Sequence, residues 1–422
     1  MRQAPDAEKE VGIEWYATLG EPCPGRAKSS PEDFVVSEQA EVAGLVREER
    51  AGYYPLYKVE KRSIDTLHMA EELSSVLKSR VSYGGMKDKN ARSVQFVTPT
   101  SLRSERPAKV SRERFTADLV GYVPRPISRA AVAGNRFDIT LRECCPWITE
   151  SIEEAMRLAE RWGLPNYYGL QRFGTSGAGT HRIGKALVKG DFEGAVRLML
   201  LADRPSDDGR AGAAKEAFAA GRYAEGAGLL PPGRDSERRV ARELGRHPEE
   251  WVTGLRAVPV RVRRLYVQAY QSLIFNRTLS SAMEKGEDLG APRQGDNWAE
   301  LSPDGLATSR VRGVRDPLTP GAVPMVQIAG YAFRDYGSRF DACLKEVLEA
   351  EGVAPREFFV QGMQEVSSEG SFRRPHLAIG EPWWEVEGST ARLRFTLGRG
   401  QYATVFLREV IKPDDPAAAG LA

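Results

Sequence analysis

At 422 residues the chain is longer than one ordinary domain, so its length predicts two compact units. Its mean hydropathy is −0.42. No apolar run approaches the roughly 20 residues of a membrane-spanning helix, so no membrane contact is expected. The first residues, MRQAPDAEKEVG, lack the basic and then apolar layout of a secretory signal. We therefore expect a soluble, cytoplasmic protein.

Metal ligands and disulfide partners are few. The four cysteines include the adjacent pair Cys144 and Cys145, which is poorly placed to chelate one tetrahedral zinc, and no CxxC occurs. The four histidines are scattered, without HExxH spacing. Four thiols are also too sparse for a secreted disulfide scaffold. We expect no metal site and no disulfide framework.

Positive charge is concentrated in two segments, although the net charge is only +2. Residues 101–142 hold nine Lys or Arg against four Asp or Glu, and residues 254–277 hold five Arg and no acid. Such clusters are expected where a polyanion binds. Solvated loops also collect arginine, so either cluster alone leaves both interpretations open.

In the first third of the chain, the patterns predict mostly strands. The predicted strands cover residues 32–38, 53–61 and 137–142, with a short strand or turn at 81–86. Pro55 in the second of them indicates an edge strand or a bulge. Helical spacing from Ile64 to Leu77 predicts a helix, with Ser63 or Asp65 as its N-cap.

The middle of the chain is helical, and strand character returns near the end. Helices are predicted over residues 151–162, 191–201, 209–223 and 266–283. Strands at 383–386 and 392–396 precede a C-terminal helix at 403–411. Strand-rich ends around a helical middle predict a core domain interrupted by an insertion. The two ends of the chain must then pair with each other.

The sharpest local motif is YGGMKDKNA at residues 83–91. Its glycines let the backbone turn tightly, and Asp88 lies between Lys87 and Lys89, whose charges favour an ionised carboxylate. Such a carboxylate can attack an electrophilic carbon or accept a proton. On spacing alone, an ordinary Asp-containing turn is the simpler interpretation.

Two further motifs combine polar and aromatic side chains. Asn135 and Phe137 share one face of a strand, which suits hydrogen bonding to a base and stacking on it. A core phenylalanine beneath an Asn-containing turn is the simpler alternative. NYYGLQRFG at 166–174, followed by His181, Arg182 and Lys185, fits stacking with phosphate contact or packing at a domain junction. Glycine-rich GRG at 398–400 lacks a phosphate-loop pattern and is interpreted as a strand-to-helix turn.

In their order, six motifs resemble the tRNA pseudouridine synthase D family over nearly the whole chain. They are KxxPEDFVV from Lys28, GxKDxxA from Gly85, GNxF from Gly134, NYYGxQRFG from Asn166, AYQSxxFNR from Ala269 and YATVxLRE from Tyr402. Two departures, Tyr168 in place of a more usual Phe and GRG at 398–400, lie outside the implied catalytic set.

The resemblance implies an α+β fold. Its pseudouridine synthase core has a mixed, mainly antiparallel sheet flanked by helices, and a family-specific α/β insertion domain interrupts it. We place the catalytic core at residues 1–166 and 375–422 and the insertion domain at 167–374, with the RNA cleft between them.

The resemblance also assigns roles to residues. It implies that Asp88 enables cleavage of the uridine C1′–N1 bond and reattachment through C5, and that Phe137 stacks on the flipped base with Asn135 as its polar companion. Lys28 is the candidate cation beside Asp88, and Lys87 is the alternative. The candidate RNA-binding residues are Lys87, Arg136, Arg172, Arg182, Arg263 and Arg264.

The implied substrate is tRNA, with uridine 13 of the D arm as the target. No cofactor or metal is expected, because the reaction is an isomerisation, and we expect a monomer. One alternative is a non-catalytic RNA-binding protein on the same fold, but such a protein would have no use for the carboxylate of Asp88. The other is a cofactor-free glycosidase with paired carboxylates, although no second acid stands out near Asp88.

Overall fold

The computed structural model describes residues 1–422 except 41, 43, 90, 175–178, 204–206, 302–306 and 314. The strands in this part of the chain are β1 (Arg2–Gln3), β2 (Trp15–Tyr16), β3 (Phe34–Ala40), β4 (Tyr54–Lys61), β5 (Val81–Tyr83), β6 (Arg92–Pro99), β7 (Lys109–Ser111), β8 (Phe115–Val123), β9 (Val132–Leu141), β10 (Trp298–Leu301), β11 (Ala307–Arg312), β12 (Val323–Pro324), β13 (Val326–Ile328), β14 (Ser371–Arg373), β15 (Ile379–Glu387) and β16 (Thr390–Gly398). The α-helices are α1 (Asp6–Lys9), α2 (Thr66–Leu77), α3 (Ile148–Arg161), α4 (Thr180–Val188), α5 (Phe192–Leu201), α6 (Gly209–Ala219), α7 (Tyr223–Leu229), α8 (Asp235–Arg246), α9 (Trp251–Arg256), α10 (Val260–Glu284), α11 (Arg339–Glu351) and α12 (Ala403–Ile411).

A nine-stranded sheet runs in the order β15-β16-β9-β3-β6-β4-β8-β7, and β5 pairs with β6 outside this path. Its pairings are antiparallel except that of β3 with β6. The predicted α+β class with a mixed, mainly antiparallel sheet is therefore confirmed. Strand β16, near the end of the chain, lies against β9 with Phe395 opposite Phe137. The two ends of the chain pair, as the sequence predicts.

Strand β4 explains the proline that the sequence places in it. The strand lies between β6 and β8, but only its residues from Tyr57 onward are paired on both sides, so Pro55 lies at a local edge of the sheet. The register with β8 shifts between Leu56 and Tyr57, and the extra residue, Val120, lies on β8, so the irregularity beside Pro55 is in the partner strand. Pairing with β6 begins only at Tyr57. Pro55 therefore lies where β4 has a neighbour on one side only, and its missing N–H breaks no ladder on the other.

Helix α2 begins one residue after its cap. The Asp65 carboxylate accepts hydrogen bonds from the backbone N–H of Leu67 and His68, at 2.9 and 3.0 Å, so Asp65 and not Ser63 is the N-cap. Leu67 is 38% exposed, whereas Met69 and Leu73 are fully buried against the sheet. The helix therefore rests on the sheet beside the loop that connects β5 to β6.

The helical part of the chain is organised around α10, which is buried over most of its length between Val267 and Met283. It packs against α4 and α11, and Asn276 donates from Nδ2 to the backbone oxygen of Val11 at 2.9 Å. The chain enters and leaves this part at neighbouring points. There Asn166 N donates to Pro375 O at 2.7 Å, and Leu377 N donates to Leu164 O at 2.8 Å.

Cys23 and Cys145 form a disulfide that closes a 122-residue separation, while Cys144 and Cys343 are buried free thiols. The cysteine count did not predict this bond, because spacing alone carries no information on which thiols the fold brings together. No helix within the described residues is long and apolar enough to cross a membrane.

Acid should destabilise the fold through two buried histidines, His181 and His376. Burial lowers the pKa of His376 to about 3 and that of His181 to about 4, from an ordinary value of 6.5. As the pH falls below 6.5, the unfolded chain therefore takes up protons that the folded chain does not, and stability is lost. Between pH 7 and pH 5, each histidine should cost about 2 kcal/mol.

Urea unfolding at pH 7 and pH 5 measures this loss. His376→Asn should remove about half of the two-histidine effect, because Asn does not titrate in this range. The matched change at the exposed His247 should leave the pH dependence as it is in the unmodified protein. An identical pH dependence in the His376→Asn variant would contradict the assignment.

Candidate active site

Asp88 lies in the loop between β5 and β6 and lines a cleft. Its side chain is 53% exposed, so the carboxylate is open to a substrate. The loop passes close to β9 at Gly84, where an added Cβ would lie 2.2 Å from Val132 Cγ2. No larger residue fits this approach. The glycine of the motif is therefore required by a close backbone approach.

Lys61 holds this loop from below, and the sequence analysis missed it. Its ammonium is buried and donates to the backbone oxygens of Ile64, Asp88 and Lys87, at 2.7, 3.0 and 3.3 Å. Burial lowers the pKa of Lys61 to about 8, so the group still carries its charge at neutral pH. One signal was available: the alternation in β4 places Lys61 on the same buried face as Tyr57 and Val59.

Thr66, the first residue of α2, gives the loop a second support. Its hydroxyl accepts from Lys87 N at 2.9 Å and donates to Gln95 Oε1 at 3.1 Å. The backbone on the N-terminal side of Asp88 is thus hydrogen-bonded to both a helix start and a strand end. These contacts leave the Asp88 side chain free while they restrain its main chain.

Lys28 is the cation next to Asp88. Its Nζ lies 3.8 Å from Asp88 Oδ2 and 4.9 Å from the centre of the Phe34 ring, and its side chain is 9% exposed. Burial lowers the pKa of Lys28, while the neighbouring carboxylate opposes that effect. The Lys28 backbone has a φ of 58°, and Ala27 N donates to Ala419 O at 2.9 Å. The C-terminal segment therefore supports the segment that carries Lys28.

Lys87, the alternative partner, turns away from Asp88. Its Nζ donates to Asn135 Oδ1 at 2.7 Å and lies 3.3 Å from Glu38 Oε1, and the side chains of Lys87 and Glu38 are 8% and 0% exposed. Glu38 also accepts from Phe96 N at 3.0 Å. Because Lys87 occupies Asn135 Oδ1, the Asn135 amide presents Nδ2 as a donor. Nδ2 has no partner within the described part of the chain.

Phe137 is both a core residue and part of the cleft wall. It stacks on Phe395 with ring centres 5.4 Å apart and meets Phe34 edge-on at 6.2 Å. Only 6% of Phe137 is exposed, yet it lines the same cleft as Asp88 and Asn135. The two interpretations of this residue are therefore not exclusive, because the ring packs on the core with one part and borders the cleft with another.

The cleft has a volume of about 1000 Å³ and a strongly cationic lining. Among the described residues that line it, Asp88 is the single acid. The lining also contains six cationic residues, which are Lys87, Arg129, Arg172, Arg373, Arg374 and Arg399. Aromatic rings complete the wall, and the Arg373 guanidinium lies 4.1 Å above the ring of Tyr168. Lys87 is paired with Glu38, but the five arginines form no ion pair within the described part of the chain. Stacking surfaces combined with such arginines suit a nucleic acid strand.

The other predicted RNA contacts are dispersed. Arg172 lines the cleft and is held by Gln268 and Ser272. Arg136 is exposed on β9, but the alternation of a strand directs it to the face opposite Asn135 and Phe137. The remaining three lie outside the cleft lining, at Arg182, Arg263 and Arg264.

Arg263 corrects the expectation drawn from the second basic segment. Its side chain is 7% exposed, forms an ion pair with Glu365 and donates from Nε to Val258 O at 2.9 Å. Arg264 donates to the backbone oxygen of the same glutamate at 2.7 Å. These contacts connect α10 to the segment around Glu365. The Arg263 guanidinium is therefore not accessible to a phosphate.

Within the described residues, no group of three or more His, Cys, Asp or Glu is placed to hold a metal ion. Glu38, the acid that contacts Lys87 of the Asp88 loop, has a fully buried side chain. The second, solvent-facing carboxylate that a glycosidase needs is thus not supplied by Glu38.

Comparison with known proteins identifies the family. The family model described as tRNA pseudouridine synthase D (TruD) matches residues 10–410. A relative from Pyrobaculum neutrophilum that carries this family name is 33% identical over 431 residues, covering 100% of both chains. One from Methanopyrus kandleri is 34% identical over 372 residues, covering 85% of this chain and 86% of its own.

The fold agrees with this match. A crystal structure from Methanosarcina mazei that bears the same family name superposes with a TM-score of 0.79 at 27% identity, covering 99% of this chain and 100% of its own. The sheet, the cleft and the match over the full length define an isomerase of the tRNA pseudouridine synthase class. The chain belongs to the tRNA pseudouridine synthase D family.

Proposed function

We propose that this enzyme isomerises uridine to pseudouridine in tRNA, with Asp88 as the catalytic residue and uridine 13 of the D arm as the target. The observation that carries the proposal is the position of the Asp88 carboxylate. It is open to a substrate, lies beside Lys28, and is surrounded by a cleft whose other charged lining residues are cationic. The target position rests on the family resemblance.

The reaction breaks the C1′–N1 bond and forms a C1′–C5 bond. C5 loses a proton to solvent and N1 gains one, so the atoms balance and no oxidant, reductant or group donor takes part. Asp88 acts either by attacking C1′ or by removing a proton from the sugar, and both routes need an ionised carboxylate. Lys28 offsets the charge of that carboxylate.

The base is recognised by Asn135 and Phe137 in this proposal. The free Asn135 Nδ2 donates to a uracil carbonyl, because Lys87 already occupies Oδ1. Phe137 provides the stacking surface. Extruding the target base from its stack costs a few kcal/mol, which stacking and cleft contacts offset.

We also propose the division into a core at residues 1–166 and 375–422 and an insertion at 167–374. The two chain crossings at Asn166 with Pro375 and Leu164 with Leu377 support it, since a domain inserted into another enters and leaves at neighbouring points. The cleft draws its lining from both parts, with Asp88 on one side and Arg172 on the other.

Incubation with tRNA tritiated at uridine C5 tests the activity. A pseudouridine synthase releases the label to water, a binding protein releases none, and a glycosidase releases free uracil. Sequencing-based mapping of the product then decides the position. Release of tritium without modification at uridine 13 would overturn the proposed target and leave the activity standing.

Phe137→Leu should lower turnover by roughly 5- to 150-fold, because stacking on a base is worth about 1–3 kcal/mol. The matched control is Phe395→Leu, since Phe395 stacks on Phe137 but does not line the cleft. Both changes should cost less than about 1.5 kcal/mol of stability. Single-turnover assays measure the loss of turnover, and urea unfolding measures the loss of stability. Equal losses of turnover in the two variants would show that Phe137 acts through core packing alone.

A further inference from the structure

Arg374 is half-buried and differs from Arg172 and Arg373, the other half-buried arginines of the cleft, in the partners of its guanidinium. Its Nε donates to His376 Nε2 at 2.7 Å. Neither Nη group has a hydrogen-bond or carboxylate partner among the described residues. By contrast, Arg373 is occupied by Asn166 and Gly400, and Arg172 is occupied by Gln268 and Ser272.

The partner of Arg374 is a neutral histidine. His376 is buried, and its Nδ1 lies 2.8 Å from the backbone oxygen of Leu289, an acceptor, so Nδ1 carries the proton. Nε2 is then the acceptor for Arg374. The ring fits against Gly163, where an added Cβ would lie 2.5 Å from His376 Cβ. The imidazole therefore orients the guanidinium without neutralising it.

Burial lowers the pKa of Arg374 to about 10, because its charge is partly removed from water and no acidic group offsets that loss. Such a charge is costly unless an anion completes the site. The two Nη groups present parallel donors, the geometry that matches a phosphate. At neutral pH the phosphodiesters are the anions of an RNA strand.

We propose that Arg374 binds a phosphodiester that flanks the target uridine, and that His376 is its positioning residue. This rests on the proposed function, since it takes tRNA as the ligand. Arg374 and Asp88 line one cleft of about 1000 Å³, and the proposal assigns the phosphate at Arg374 to a linkage next to the nucleotide at Asp88. The contact holds the strand in register while the base enters the site.

The test is a double-mutant cycle between protein and RNA. Two tRNAs carry one uncharged 2′-O-methyl methylphosphonate linkage, on the 5′ or the 3′ side of the target uridine. The matched tRNAs carry a 2′-O-methyl phosphodiester there. We expect one neutral linkage to weaken binding to the unmodified enzyme by about 10- to 100-fold, the value of a charge-assisted contact. The Arg374→Gln enzyme should bind the phosphodiester tRNA more weakly than the unmodified enzyme does, by the same factor. It should bind the tRNA with that neutral linkage as tightly as it binds the matched phosphodiester tRNA.

Arg222→Gln is the control, because Arg222 is exposed and paired with Glu225. It should show the same sensitivity to the neutral linkage as the unmodified enzyme. The inference would be overturned if each neutral linkage weakened binding to the Arg374→Gln enzyme as much as it weakens binding to the unmodified enzyme, because the two losses would then be independent. An unmodified enzyme insensitive to both neutral linkages would also overturn it, an outcome that does not depend on the folding of any variant. Tritium release from ordinary tRNA, measured in parallel, reports on the proposed function separately.

Discussion

Asp88→Asn should abolish pseudouridine formation, with a loss of at least ~10³-fold in single-turnover rate, while tRNA affinity and folding stay close to normal. The amide keeps the size of the side chain but can neither attack C1′ nor accept a proton. Folding should be spared because, among the described residues, Lys28 is the one ion-pair partner of the carboxylate, at 3.8 Å, whereas the loop is held through its backbone. Tritium release with excess enzyme measures the loss.

Asp138→Asn is the matched control. Asp138 lies on β9 next to Phe137, but on the opposite face of the sheet and paired with Arg394. Losing this exposed pair should change stability by at most about 1 kcal/mol and leave turnover intact. Turnover above trace levels in a pure Asp88→Asn preparation would remove Asp88 from the central role.

Lys61→Met should lower kcat by roughly 100-fold with a much smaller change in KM, because a misplacement of about 1 Å at a catalytic group can cost that much. The change leaves the backbone oxygens of Ile64, Asp88 and Lys87 without their donor. Stability should fall by about 1–3 kcal/mol, the cost of buried acceptors left unsatisfied. The Asp88 loop is then free to leave its position above α2.

Lys58→Met tests the same chemical change on the exposed face of β4. It should alter neither kcat nor stability by much, since Lys58 faces solvent. The assay is run well below the melting temperature of each variant, so that unfolded enzyme does not lower the measured turnover. A Lys61→Met enzyme that is less stable but keeps a normal kcat would limit Lys61 to a structural role.

Local patterns in the sequence predicted part of the secondary structure of this protein, but not the internal strands β6 and β8 or the helices α8 and α11. Alternation and helical spacing depend on neighbouring residues along the chain, which is why α12 was predicted at its observed bounds. The strand predicted at 137–142 and the helix predicted at 266–283 fall on β9 and α10, which begin earlier, at Val132 and Val260. The ordered motifs also brought Asp88, Asn135 and Phe137 together as one site before any geometry was known. Pro55 was harder, because whether a strand is internal or at an edge depends on which strands the fold places beside it.

What only the tertiary structure decided is how charges pair and which of them stay exposed. The sequence does not distinguish a lysine that supports a loop, such as Lys61, from one that contacts a buried glutamate, such as Lys87. Arg263 and Arg374 likewise look alike in a basic sequence, yet one is neutralised by Glu365 and the other is held by a neutral imidazole. The interaction of two charges depends on their separation and on the water around them. Residues far apart in the chain set both quantities, so the fold assigns these roles.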